Sequence, residues 1–212
     1  IKSNIEDKVY LILLFTISVV LSFLIVKKFN SNLLINTILI SSALYLFFIT
    51  LRDFFIKKYV NVSQNIAHFG FSLLILSILF NNLFSSEVIT NLKVGETFTS
   101  PNTKIVFKSI NKKEEKNYIS IRANFRIENL NGIIDDLSPE LRIYNQPNIA
   151  TSEADIKTSL LSDKFIVFNA VQNQDYFNVR YQVKSFMLWI WLSVILISLA
   201  GFISFFKKEY EK

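Results

Sequence analysis

Four stretches of the chain, residues 9–26, 33–51, 60–84 and 186–206, are dominated by Leu, Ile, Val and Phe and contain no Lys, Arg, Asp or Glu. Each is close to the ~20 residues that a helix rising ~1.5 Å per residue needs to cross ~30 Å of hydrocarbon. Inside lipid the backbone N–H and C=O groups must be satisfied within the segment, so these runs read as helices despite their β-branched Ile and Val. The first is not a cleaved leader, because it lacks a small-residue cleavage site and three further spans follow it. The pattern predicts a polytopic α-helical membrane protein, with three transmembrane helices and short loops over 1–84 and a fourth helix with its tail over 184–212.

Between residues 85 and 183 the long apolar runs give way to alternation. Apolar and polar side chains alternate at 105–107, 118–125, 141–144, 165–170 and 176–183, the period of two that turns one face of a strand toward a core. Gly95, Pro101 and the pair Asn131-Gly132 punctuate the segment, the last being a hairpin turn type. The expected shape is an inserted all-β domain over 85–183, a sandwich or barrel of about six or seven strands, between helices 3 and 4. Residues 153–161 read as one short helix, and the polar run 111–117 as a solvated hairpin loop.

Composition narrows the chemistry. The 212 residues include no Cys, which removes disulfides, thiolate metal sites and cysteine nucleophiles. The four glycines, Gly70, Gly95, Gly132 and Gly201, are too far apart for any phosphate-binding loop. His68 is the only imidazole. The net charge of +6 is not a nucleic-acid footprint: residues 85–183 hold 12 basic and 12 acidic side chains, and the flanks hold 11 and 5. That excess is distributed as the positive-inside rule requires. Lys2, Lys8, Arg52, Lys57, Lys58, Lys207, Lys208 and Lys212 fall on one side of the membrane, against Lys27 and Lys28 on the other. The β domain then lies in the periplasm or its organellar equivalent. The absence of Met at position 1 reads as a fragment or a processed product.

Few residues are left to carry chemistry. His68 sits a third of the way into the third span, where an ionisable side chain is costly and should face the bundle interior, with Ala67 and Gly70 leaving room for a flat group. Three readings are open on the residue alone: an interhelical hydrogen bond, a haem or metal ligand, and a proton relay. In 137–144, strand periodicity puts Glu140, Arg142 and Tyr144 on one face. That face is either a surface ion pair or a docking face for a carboxylate-bearing ligand such as a haem propionate. Asp135-Asp136 and Glu114-Glu115 read as solvated loop carboxylates rather than acid and base pairs. Trp189 and Trp191, at the outer end of the fourth helix, read as interface aromatics of which only one can face lipid squarely.

Taken in order, Ala67-His68-Phe69-Gly70, Gly95-Glu96, Asn117-Tyr118, Leu137-x-Pro139-Glu140-x-Arg142-x-Tyr144, Glu153-Ala154-Asp155-Ile156 and Val179-Arg180-x-x-x-Lys184 leading into Trp189-Ile190-Trp191 resemble the C-terminal third of CcmF, the haem lyase subunit of bacterial and some organellar cytochrome c maturation (Ccm) systems. The resemblance covers roughly residues 63–206. Ser185 departs from it, standing where the family usually has Pro.

The resemblance implies a subunit or C-terminal part of a cytochrome c haem lyase, in which two cysteine thiols of apocytochrome c add across the haem vinyl groups. It implies that His68 is an axial ligand of a structural haem b that keeps delivered haem reduced. It implies as partners the N-terminal remainder of the lyase, the haem chaperone CcmE, the thiol-reducing subunit CcmH and apocytochrome c. It also implies a multi-pass location in a bacterial inner membrane, or the mitochondrial one for an organelle-encoded chain. No segment here resembles the family's tryptophan-rich haem-handling region, since Trp189 and Trp191 are the only Trp. The rival expectation is a membrane-anchored β-domain adaptor of an assembly complex that binds no haem.

Overall fold

The computed structural model describes residues 5–29, 32–56, 61–129, 132–171 and 174–210. The chain forms two compact units, one of Ile1–Phe84 with Ser185–Lys212 and one of Ser85–Lys184. Lys2, Lys57, Lys58 and Lys212 of the charge bias, Val60 of the third apolar run and Asn131 of the hairpin turn lie outside the described residues.

The first unit is helical: α1 is Ile5–Lys28, α2 Leu33–Ile56, α3 Val62–Phe84 and α4 Met187–Tyr210. All four are long and apolar enough to cross a membrane, over Lys8–Lys28, Leu33–Phe55, Val62–Phe84 and Met187–Phe206. The protein is a multi-pass membrane protein. Helix α1 packs on α2, α2 on α3 and α3 on α4. Several hydroxyls inside the spans return to their own helix, as Ser18 does to the Leu14 carbonyl at 2.8 Å and Ser77 to that of Leu73 at 2.7 Å. That satisfies a polar group where water cannot. At the entry to α4, Phe186 adopts φ 61°, a left-handed backbone that a bulky residue rarely takes. Its ring is held against Phe80 and Phe84, with centroids 5.3 and 6.0 Å away.

The second unit is a β sandwich. Its strands are β1 Ser86–Leu92, β2 Thr97–Thr99, β3 Thr103–Glu114, β4 Tyr118–Asn129, β5 Ile134–Leu137, β6 Glu140–Tyr144, β7 Ile149–Glu153, β8 Asp155–Thr158, β9 Ser162–Ala170 and β10 Phe177–Ser185. One sheet runs β1-β10-β9-β8; the other runs β2-β3-β4-β6-β7, with β5 also on β4. Ile105, Phe107, Phe125 and Ile127 of the second sheet share a core with Ile166, Phe168, Val179 and Tyr181 of the first. Phe107 and Phe125 are register partners and stack at 4.4 Å.

Three sequence expectations are corrected here. Residues 153–161 are not a helix: Glu153 ends β7, and Asp155–Thr158 is β8, whose Lys157 lies opposite Lys164 of β9. Cross-strand pairing overrides a weak helical preference, a common outcome for short segments. The run 111–117 is mostly strand, because β4 offers ladder partners as far as Glu114, opposite Ile119. Only the tight turn closed by the Glu115 N–H to Tyr118 C=O bond, 2.9 Å, remains a loop. The described strands number ten rather than six or seven, since elements as short as β2, β5 and β8 are too brief for alternation to register.

Candidate functional site

Helix α3 divides its circumference unequally. Ser63, Asn65, Gly70, Ser72, Leu76 and Ser77 are buried. Ser63 Oγ donates to the Ala200 carbonyl at 2.7 Å, and Asn65 Nδ2 donates to that of Thr50 at 3.2 Å. Gly70 lies against α4 so closely that a Cβ would meet Ile197 Cγ1 at 2.9 Å and the Ser193 carbonyl at 3.2 Å. The small residue admits a neighbouring helix, not a flat ligand. At ~100° per residue His68 lies most of a half-turn from Gly70. It falls on an exposed stripe with Gln64, Phe71, Ile78 and Asn82. His68 therefore does not face the interior of these four helices. Its imidazole makes no hydrogen bond among the described residues, and the interhelical bonds near it belong to Ser63 and Asn65.

On the six-stranded sheet, register brings together what sequence separates. Arg142 of β6 lies opposite Ser120 of β4, Glu140 opposite Arg122, and Tyr144 opposite Tyr118. Arg142 Nε and Nη2 donate to Glu140 Oε2 at 3.2 and 3.0 Å, and Ser120 Oγ donates to Glu140 Oε1. The guanidinium stands 5.2 Å over the Tyr118 ring, which meets the Tyr144 ring at 5.3 Å. The Ser120 hydroxyl, with Arg142 beside it, holds the Glu140 carboxyl below its ordinary range against the opposing effect of burial. Donation to the Glu140 carboxylate chiefly raises the pKa of the Arg142 guanidinium, with Tyr144 adding to it. A recess of about 270 Å³ opens there, with Lys113, Arg122 and Asn111 on its rim. Glu140, Arg142 and Tyr144 share a face; Ser120, Tyr118 and Arg122 join them. Those three also stand at alternate positions of one strand, but nothing in the sequence says that β4 pairs with β6.

Asp135 reads from sequence as a solvated loop carboxylate, and the structure corrects this. It points inward from β5 with 2% of its side chain exposed, bonded to Lys157 Nζ at 2.7 Å and Lys164 Nζ at 2.6 Å. Burial pushes its pKa up, but the two ammonium groups outweigh it and leave the net value below 3.8. Its neighbour Asp136 points outward, and Arg126 and Lys108 hold it at about 2. Nearby, burial chiefly raises the Tyr181 hydroxyl to about 12, with Asp135 contributing. On α4, Trp191 is 63% exposed. Trp189 is half-buried, and its carbonyl accepts from Ser193 Oγ at 2.6 Å.

No group of three or more His, Cys, Asp or Glu capable of holding a metal exists among the described residues.

Comparison with known proteins agrees with this architecture. The family described as the CcmF C-terminal beta-sandwich matches residues 83–185. Cytochrome c-type biogenesis protein CcmF of Haemophilus influenzae is 26% identical over 146 residues, 69% of this chain and 22% of that protein. CcmF of Pseudomonas aeruginosa is 23% identical over 148 residues, 70% of this chain and 22% of its own length. The chain thus spans about a fifth of the length of these relatives. A solved structure titled Cytochrome c Heme Lyase CcmF superposes with a TM-score of 0.69 over 94% of this chain and 34% of that one, at 15% identity, a likeness of fold.

Proposed function

From the match of residues 83–185 to the CcmF C-terminal beta-sandwich, we propose that this chain belongs to the CcmF family and works in cytochrome c biogenesis as the C-terminal part or subunit of a haem lyase. In this reading α3 supplies one axial ligand to a haem b, and the sandwich supplies a surface near which apocytochrome c receives its haem. The observation that carries it is His68: an imidazole in a membrane span, exposed on a stripe that α2 and α4 leave uncovered. A group so costly in lipid is retained when something outside these four helices uses it.

The residues present fit that role. An exposed imidazole has a ring nitrogen to offer a metal, and Phe71 and Ile78 on the same stripe present apolar surface to the edge of a macrocycle. A haem bound there supplies an iron centre able to take up and pass on an electron. On the sandwich, the Arg142 guanidinium, oriented by Glu140 and Tyr118, grips an acidic edge of apocytochrome c, of the haem chaperone CcmE or of the thiol-reducing subunit CcmH. By the positive-inside bias the sandwich lies outside the cytoplasm, at a bacterial inner membrane or its mitochondrial counterpart.

The test is His68→Ala in the complete lyase assembly. Cytochrome c maturation falls while the membrane level of the chain stays near wild type, because the exposed His68 makes no hydrogen bond among the described residues. Unimpaired maturation would favour the adaptor that binds no haem.

A further inference from the structure

The sandwich carries an apolar feature that haem ligation and polar docking leave unused. Ile133, just before β5, and Ile134, its first residue, are 53% and 51% exposed, and Leu160 and Leu161, between β8 and β9, are 62% and 60% exposed. Topology gathers them at one end of the unit. Asp135 bonds to Lys157 while the Ser138 N–H bonds to Asp155 at 2.6 Å, so β5 and β8 run antiparallel across the gap between the sheets. Continuing past Asp135 and past Lys157 leads to Ile133-Ile134 and to Leu160-Leu161.

The same end is where the chain enters and leaves the unit. Strands β9 and β10 are neighbours of nine residues each. The connection 171–176 is too short for a parallel crossover, so the start of β9 at Ser162 lies beside the end of β10 at Ser185. Strand β1 is antiparallel to β10, with Ser86 opposite Val183. Ser85 alone separates β1 from the membrane span α3, and Phe186 alone separates β10 from the span α4. The leucine tip therefore projects from the end of the sheet that is covalently tied, within a residue or two, to the membrane.

We infer that the 133–134 and 160–161 tips insert into the interfacial layer of the bilayer that α3 and α4 cross, and fasten the sandwich to lipid. Aliphatic side chains gain by leaving water there, while hairpin-tip backbone keeps its hydration at headgroup level. Lys157 and Lys164, the cations behind the tips, are committed to Asp135. The attachment accordingly rests on apolar burial and not on anionic lipid.

Because the chain has no Cys, single probes are clean. Leu161→Cys and, separately, Ile133→Cys are labelled with bimane in the full chain. Lys116→Cys, in the β3 to β4 turn at the opposite end of the long hairpin, is the reference. The proteins are reconstituted in phosphatidylcholine vesicles, with and without phosphatidylglycerol. The inference expects the 161 and 133 probes to shift to the blue, to lose emission to nitroxide carried near the lipid headgroup and to be shielded from aqueous iodide, in both vesicle types. The 116 probe should show the reverse. Iodide quenching of the 161 and 133 probes equal to that at 116 would overturn it. So would protection from both quenchers, which would mean a protein covers the tips, or lipid quenching that requires phosphatidylglycerol.

Discussion

Asp135 and Asp136 stand side by side in sequence and live in different solvents, because one residue's step along a strand reverses the direction of the side chain. Asp135 bridges the two sheets by taking Lys157 from β8 and Lys164 from β9. Removing one partner of a buried pair strands the other, so Asp135→Ala should lower the stability of the sandwich by about 2–4 kcal/mol. Lys164 is 18% exposed and Lys157 57%. Lys164→Ala should thus be the more damaging lysine change in a thermal melt, with Lys157→Ala within about 1 kcal/mol of wild type. The net pKa of Asp135 lies below 3.8 in the fold, so its stabilisation is complete at neutral pH and is lost as pH falls below 3.8 toward the depressed value. Asp136, held at about 2, acts in the same direction. Melting temperature followed by circular dichroism should drop across that window, and the drop should be shallower in Asp135→Asn. On the polar face, Arg142→Ala should reduce cytochrome c assembly without emptying the membrane of the chain. Normal holocytochrome yield would return Arg142 to a surface ion pair.

At the scale of the element, Gly70 decides how α3 meets α4. A longer side chain there collides with Ile197 and with the Ser193 carbonyl, and overpacking of this kind costs about 1–3 kcal/mol. Gly70→Leu should lower the amount of folded chain recovered from membranes, whereas Gly201→Leu, with nothing within 4 Å of its Cβ direction, should not. The spans were legible in the sequence because a membrane demands length and apolarity and little else. The longer strands were legible because burial on one face imposes alternation. What sequence hid is non-local. The four residues of β8 pass for helix until β9 is beside them, Glu140 and Arg142 do not disclose Ser120, and Asp135 passes for a loop carboxylate until two lysines arrive from the opposite sheet. The side on which His68 lies was misread for a similar reason. Gly70 and His68 are close in sequence, but the helix turns one toward α4 and the other away.

For the whole molecule, the described residues offer the proposed function two surfaces, one on each unit: the exposed α3 stripe and the polar face of the six-stranded sheet. The sidedness proposed above follows from the charge bias and is open to a direct test. A cysteine at Asn111 should react with an impermeant maleimide from outside, and one at Lys212 only after the membrane is opened; the reverse pattern would invert the topology. The central claim is that His68 binds haem iron, and its most direct test is the absorption spectrum and haem b content of the purified, complete lyase assembly carrying His68→Gln. Glutamine can replace a hydrogen bond but is a poor ligand to iron. Loss of haem b, or an altered low-spin spectrum with the chain still present in the complex, is the result expected. Full haem b with an unchanged spectrum would contradict it.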